Sequence, residues 1–362
     1  MFPYYVMVFI PLFLSVIDIV LDEKIVLKKR QNKIILISFF SIFLLLLFLR
    51  DISVGIDLEN YRSIFESINS ISLRENIYDE NRVEIGYIVL NKLIGFRNGN
   101  FRTLLICVAV ISVIPIAVFY VKESEMSILT MFLFLCVAPF SMYFSGLRQA
   151  IAMAFSIPAY YFVKHKKPLL FLLMVVLAFL FHHSALILLL LYPVYHIKIN
   201  RFLLSILSVI LIVVFIFRSQ VFDFLTNLLG ETYADRYGYS TDTGAFTSLI
   251  LYILFTIFSY LIVDENECDK DFLGLRNILV LIVFLQVFAS INTVAMRLNY
   301  YFLLFIPIII PKAINRAHKD NIVVANVAHI ILMLFFGFYF FYNAYTGADI
   351  LQIYHYIPFW RG

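Results

Sequence analysis

The sequence predicts an all-α fold: a polytopic integral membrane protein of about twelve transmembrane or half-spanning helices with two long outer loops. Composition is the first of three observations behind this. Of 362 residues, 62% are hydrophobic and only 14% charged, against roughly 45–50% apolar and about 25% charged in a soluble domain. Second, apolar tracts approaching or exceeding the ~18 residues of a spanning helix recur nearly end to end. Third, runs such as IILISFFSIFLLLLFL do not alternate apolar with polar residues, as a transmembrane barrel requires.

The apolar segments begin near residues 3, 34, 103, 127, 146, 168, 184, 202, 247, 273, 298 and 322. No basic residue precedes the first, and DEKIVLKKRQNK follows it. That order is the reverse of a cleavable signal peptide, so the tract is expected to stay as a helix that starts outside. Residues 168–182 and 184–196 are too long together for one span and short for two, and FHHSAL interrupts them. They read as a broken pair, a form tolerated at membrane depth where backbone is buried in protein or lines a wet cavity. No repeat or soluble segment separates from the rest, so residues 1–362 form one transmembrane domain.

Lysine and arginine set the orientation. With the start outside, Lys24, Lys28, Lys122, Lys164, Lys198, Lys270 and Lys312 fall inside and Lys92 outside. Both termini are then expected outside. Arginine does the opposite: Arg50, Arg62, Arg102, Arg148, Arg218 and Arg297 fall on the outer side or at outer helix ends. Guanidinium grips phosphate or carboxylate with paired hydrogen bonds, whereas lysine acts mainly as a point charge. The outer face therefore suits an anionic ligand. The outer loops, 50–102 and 218–246, exceed the ~12–15 residues usual for structureless connections. Within the first, RVEIGYIVLNKLIGF places Val83, Tyr87, Leu90 and Ile94 at helical spacing, as an amphipathic helix lying in the interface would.

Four stretches carry candidate chemistry. SGLRQAIAMA sets Arg148 and Gln149 in the first turn of an inward-running helix, whose free N–H groups and dipole favour anions. The bound ligand would offset the arginine there; the plainer alternative is that Arg148 snorkels to headgroups. INTVAMRLNYYF repeats the pattern with Arg297, followed by Tyr300 and Tyr301, which an aromatic belt would also contain. FLRDISVGIDLENYRSIF places Arg50 at a helix end, Gly55 at a tight turn, and Asp57 and Tyr61 one helical turn apart. Asp57 is either a base or a helix cap. FLFHHSALILL holds His182 and His183, candidate general bases near neutral pH. Adjacent residues on a helix point apart, so at most one faces a site. Cys107, Cys136 and Cys268 form no ligand spacing, and neither a structural metal nor a cofactor is expected. The net charge of +4 is dispersed through loops, which argues against a nucleic-acid partner.

RDISVGIDLENY, EIGYIVLNKLI, SGLRQAIAMAFSIPAYYF, FHHSALILLLLYPVY, MRLNYYF and IYHYIPFW, in this order, resemble the motifs of the EpsG family, O-antigen-polymerase-like (Wzy-type) polysaccharide polymerases. The resemblance implies a metal-independent glycosyltransferase at the outer face of the bacterial cytoplasmic membrane. It would join undecaprenyl-diphosphate-linked oligosaccharide repeat units, as donor and acceptor, into a cell-surface polysaccharide such as capsule or O-antigen. Its partners would be membrane lipid, a chain-length regulator and a flippase. On that reading His182 or His183 and Asp57 are candidate bases, and Arg148, Gln149, Arg297 and Arg50 hold the diphosphate. Tyr61, Glu84, Tyr87, Tyr300 and Tyr301 would contact saccharide, as would Tyr78. The rival readings are a transporter or flippase of lipid-linked oligosaccharides, expected to show related halves with paired broken helices, and a membrane acyltransferase.

Overall fold

Helices make up every regular element of the computed structural model among the described residues, which are 2–21, 28–70, 83–229, 244–261, 269–347 and 351–361. The expected all-α class is observed. α1 (Phe2–Leu21) packs along α2 (Lys28–Leu49), and the first outer loop folds into α3 (Leu58–Ser70) and α4 (Ile85–Phe96). α5 (Phe101–Glu123) lies against α2 and is followed by α6 (Ser127–Cys136), the short α7 (Met142–Ser145), α8 (Leu147–Ala154) and α9 (Ser156–Lys164). Next come α10 (Pro168–Phe179), a 3-10 helix (His183–Leu190) and α11 (Leu191–His196). The chain continues through α12 (Arg201–Ile216), α13 (Arg218–Leu229), α14 (Gly244–Leu261), α15 (Lys270–Ala289), α16 (Thr293–Leu303), α17 (Ile306–Asp320) and α18 (Ile322–Thr346). Tyr78, Arg236 and Cys268 lie outside the described residues.

Each of the twelve apolar tracts, expected as transmembrane or half-spanning helices, begins at or near a helix start. Among the described residues Phe101–Glu123, Lys270–Ala289 and Ile322–Thr346 are long and apolar enough to cross a membrane. Two bent pairs, Phe202–Ile216 with Arg218–Phe224 (83°) and Ala295–Leu303 with Ile306–Ala317 (50°), raise the total to five if each is one span. Proline accounts for two of the breaks between shorter apolar helices. Pro158 has no N–H to give Ala154, so the tract from residue 147 divides at Phe155 into α8 and α9. Pro307 stands in the first turn of α17 and separates it from α16. At the third break His182 is extended (φ −158°, ψ 120°) and its ring accepts the Ser184 N–H, starting a new helix. The expected break at FHHSAL is therefore present.

Apolar side chains gain little by leaving lipid for protein, so packing and polar contacts hold the helices together. Phe39, Phe40 and Phe43 of α2, Tyr120 of α5 and Phe134 of α6 form a network of edge-on and tilted ring contacts with Phe140, Tyr143 and Phe144. A second core forms where α3 and α4 dock on α5 and α8, with Leu58, Tyr61, Phe65, Tyr87, Ile94, Leu104 and Leu147 buried together. Here the amphipathic reading is corrected. Val83, Tyr87 and Ile94 point into this core with Leu90 packed against it, and the exposed stripe is Ile85, Val89, Leu93 and Phe96. That face packs against α3 and α5.

The long helices run between two polar ends; 23 residues of α5 reach about 34 Å. At the end bearing Glu123 and Lys164, the Asp271 carboxylate accepts from Tyr160 (2.6 Å), Tyr195 (2.7 Å) and Lys164 (2.8 Å). Lys312 binds Glu123 at 2.8 Å beside it, and Arg316 binds Asp269 at 2.6 Å. At the other end residues 351–359 clasp the first loop. Asp51 N–H donates to Ile357 O (2.8 Å), Phe359 N–H to Leu49 O (2.9 Å) and Ile56 N–H to Leu351 O (3.1 Å), with an isolated antiparallel bridge between Arg50 and Pro358. Arg102 covers the Phe359 ring at 3.3 Å. Asp271→Ala leaves two hydroxyls and an ammonium without their shared acceptor and should cost about 3 kcal/mol; thermal unfolding of the detergent-solubilised protein measures it.

Candidate active site

The site is assembled from four pieces of chain that the helix breaks and the first outer loop bring together. The first is the turn into α8. α7 ends at Ser145, and Gly146 opens α8, so Arg148 and Gln149 occupy its first turn. Ser145 Oγ–H donates to Asp57 Oδ2 at 2.8 Å and accepts from the Asp57 N–H at 3.3 Å. Asp57 thus fastens the entrance of α3 to the start of α8. Gly55 makes that approach possible: its φ is +120°, and a Cβ there would collide with the Phe144 carbonyl.

Glu84 supplies the second piece. It immediately precedes α4, but its side chain makes no cap hydrogen bond. Instead it accepts from Arg148 Nη1 at 2.5 Å, with 7% of the Glu84 side chain exposed and 25% of the Arg148 side chain. Arg148 Nε–H reaches the Tyr61 hydroxyl at 3.5 Å, and its Cζ lies 5.8 Å from the Tyr61 ring centroid. The expectation that a ligand alone offsets Arg148 is therefore corrected: a protein carboxylate already does so. Nη2 retains no partner among the described residues. Tyr61 and Tyr87 meet edge-on at 5.7 Å between centroids, and Tyr87 is fully buried. They form the wall behind the ion pair, and Tyr87 has no face open to a sugar.

The third piece is the break between α10 and the 3-10 helix. Gly86 N–H donates to Leu180 O at 2.8 Å, and a Cβ on Gly86 would stand 2.7 Å from that oxygen. Only glycine lets the start of α4 sit this close to the break. His182, two residues on, lies within electrostatic reach of Glu84, Arg148, Arg297 and His183. Its Nδ1 is 2.7 Å from Ser184 Oγ, which is 2.9 Å from the Tyr301 hydroxyl. His183 faces outward, its ring 4.8 Å from that of Phe179. Of the two histidines, His182 is the less exposed and the one held by Ser184.

The fourth piece, α16, is tied in by Gln149, whose Nε2 donates to the Arg297 carbonyl at 2.7 Å. Gln149 is 1% exposed, and its amide oxygen has no partner among the described residues. The Arg297 side chain is half-buried and unpaired among the described residues. Asn299, further along α16, is buried and donates to Ile282 O (3.0 Å) and Gln286 Oε1 (3.2 Å) of α15. Arg148, Glu84, Tyr61, His182 and Arg297 are thus gathered. Arg50 is not among them: it is 2% exposed and donates to the carbonyls of Phe144 (2.6 Å) and Tyr143 (3.3 Å). Tyr301 is fully buried behind Ser184, and Tyr300 lies towards Tyr252 of α14. Two roles escaped the sequence reading. Ser184 carried a signal, a hydroxyl two residues past a histidine at a helix start; Glu84 carried only its charge, opposite to that of the arginines.

Residues 3–358 match the EpsG family. The chain belongs to the EpsG family. No curated protein and no solved structure matches it. EpsG membership, together with the apolar helices, points to a membrane protein of polysaccharide biosynthesis. In this EpsG chain the matched region takes in the Arg148–Glu84 pair, the histidine break and α16 alike.

Two variants check the geometry. Glu84→Gln strands a partly buried guanidinium and should cost up to about 3 kcal/mol, most of it recovered in the Glu84→Gln/Arg148→Gln double variant. Gly86→Ala pushes α4 off Leu180 and should cost about 1–3 kcal/mol. Chemical or thermal unfolding in detergent reads both.

Proposed function

We propose that this EpsG-family protein is a glycosyltransferase that polymerises undecaprenyl-diphosphate-linked oligosaccharide repeat units at the outer face of the bacterial cytoplasmic membrane. The observation that carries this reading is the Arg148–Glu84 pair at the start of α8, tied through Gln149 to the Arg297 backbone of α16 and through Gly86 to the histidine break. Guanidinium groups suit a diphosphate, whose oxygens accept several charge-assisted hydrogen bonds at once.

The acceptor's terminal hydroxyl oxygen bonds to the anomeric carbon of the donor chain. The bond from that carbon to the diphosphate oxygen breaks, and its electron pair leaves with the undecaprenyl diphosphate. The hydroxyl proton passes to a neighbouring base; Glu84 and His182 are the groups in the constellation that bear on it. Negative charge grows on the diphosphate as the bond breaks, so fixed cations there stabilise the transition state more than the ground state. Arg148 is held by Glu84 and Tyr61 and keeps Nη2 for the ligand, while Arg297 brings an uncommitted guanidinium. A neutral leaving group would need a general acid; a diphosphate so neutralised does not.

The opposite end of the helices supports an enzyme more than a conduit. Asp271 and its partners from α9, α11 and α17 close that end with paired charges. A chain-length regulator and a flippase would be partners in the same assembly process, supplying acceptor and limiting product.

Purified protein given the lipid-linked repeat unit in chelator should yield a ladder of products. Arg148→Ala and Arg297→Ala should each lower the rate at least about a hundredfold with the fold intact by unfolding midpoint; a normal ladder from either removes that arginine from the site.

A further inference from the structure

The base assigned to an imidazole depends on which of its nitrogens carries the proton, and here the backbone answers. His182 is extended and stands at the start of the 3-10 helix, with its Nδ1 accepting from the Ser184 amide N–H at 3.3 Å. An amide nitrogen can only donate, so Nδ1 must present a lone pair. Ser184 Oγ lies 2.7 Å from the same nitrogen and 2.9 Å from the hydroxyl of the fully buried Tyr301. The consistent arrangement is Tyr301 O–H donating to Ser184 Oγ, and Ser184 O–H donating to His182 Nδ1. A proton on Nδ1 would face the Ser184 amide hydrogen directly. The neutral ring therefore carries its single proton on Nε2. Nε2 makes no hydrogen bond to a described residue.

We infer that His182 acts as a hydrogen-bond donor, through Nε2–H, to an anionic phosphoryl oxygen of the bound lipid-linked substrate, with Ser184 and Tyr301 as positioning residues that fix the tautomer. This rests on the glycosyl-transfer reading and changes the part played by the histidine in it. The ring joins Arg148 and Arg297 as a third donor to the leaving diphosphate. Each donor in the row polarises the next, so Tyr301 and Ser184 strengthen the Nε2–H bond from behind. The acceptor's proton then goes to Glu84, the carboxylate of the constellation.

Substitution separates donor from base, because a glutamine amide nitrogen reproduces the position of imidazole Nε2 and its N–H but cannot take up a proton at neutral pH. In the polymerisation assay His182→Gln should stay within about tenfold of the unsubstituted protein, while His182→Ala falls at least about a hundredfold. Equal inactivity of His182→Gln and His182→Ala, both folded, overturns the proposal. A second readout needs no turnover: the full-length protein labelled with 15N-histidine, its His182 signals assigned by their loss in His182→Gln. A protonated Nε2 is expected, moving on addition of undecaprenyl diphosphate; Ser184→Ala keeps the amide N–H at position 184 and should keep this tautomer while reducing that movement. A proton on Nδ1, or no movement of the Nε2 signal at saturating lipid, overturns the proposal. If the unsubstituted protein makes no ladder, the glycosyl-transfer reading falls, and the nitrogen spectrum still decides the tautomer.

Discussion

The ion pair between Arg148 and Glu84 is the constraint on which the site depends. Both groups have left bulk water, and an ionised side chain in such surroundings is costly unless a partner and further hydrogen bonds compensate it. Glu84 supplies the charge and Tyr61 the additional contact. Because Glu84 stands at the start of α4, satisfying Arg148 fixes the whole loop helix, and Gly86 then rests on the carbonyl of Leu180. One electrostatic requirement therefore positions the histidine break, the wall of tyrosines and the start of α8 together.

The two ends of the helices treat charge differently. Around Asp271 every principal group has a partner: two phenols and an ammonium converge on one carboxylate, and Lys312 joins Glu123 alongside. Around Arg148 the accounts are left open, with one guanidinium nitrogen, the Arg297 side chain and the buried oxygen of Gln149 lacking partners among the described residues. A closed network lends rigidity; incomplete coordination leaves room for a ligand to complete it. Of these, the Gln149 oxygen is buried outright, and buried polar atoms without partners are uncommon in folded chains.

Much of this was legible in the sequence, for physical reasons that also set its limits. Apolar tracts announce helices, and proline or an FHHSAL-type interruption announces where they break, because both depend on local backbone chemistry. The pairing of Arg148 and Arg297 at one end followed from counting turns along alternating segments. Arg50 was read as a ligand-binding cation because its position resembles theirs, yet two carbonyls 93 and 94 residues away take up its N–H groups. Tyr87 and Tyr301 were read as sugar contacts, and both are sealed in the interior. Hydropathy ranks how polar a residue is, but a partner distant in sequence decides what that polarity is spent on. Glu84 shows the converse, a carboxylate whose role follows only once an arginine 64 positions away is beside it.

The clasp between residues 49–56 and 351–359 joins stretches some three hundred positions apart in the chain. A nascent polypeptide leaves the ribosome in order, and its early helices enter the bilayer long before its last turn is made. The backbone bonds of residues 49–56 to that last stretch accordingly form only once residues 351–359 have been made. Closure of this seam is thus the last step of the fold, made after every helix is already in place.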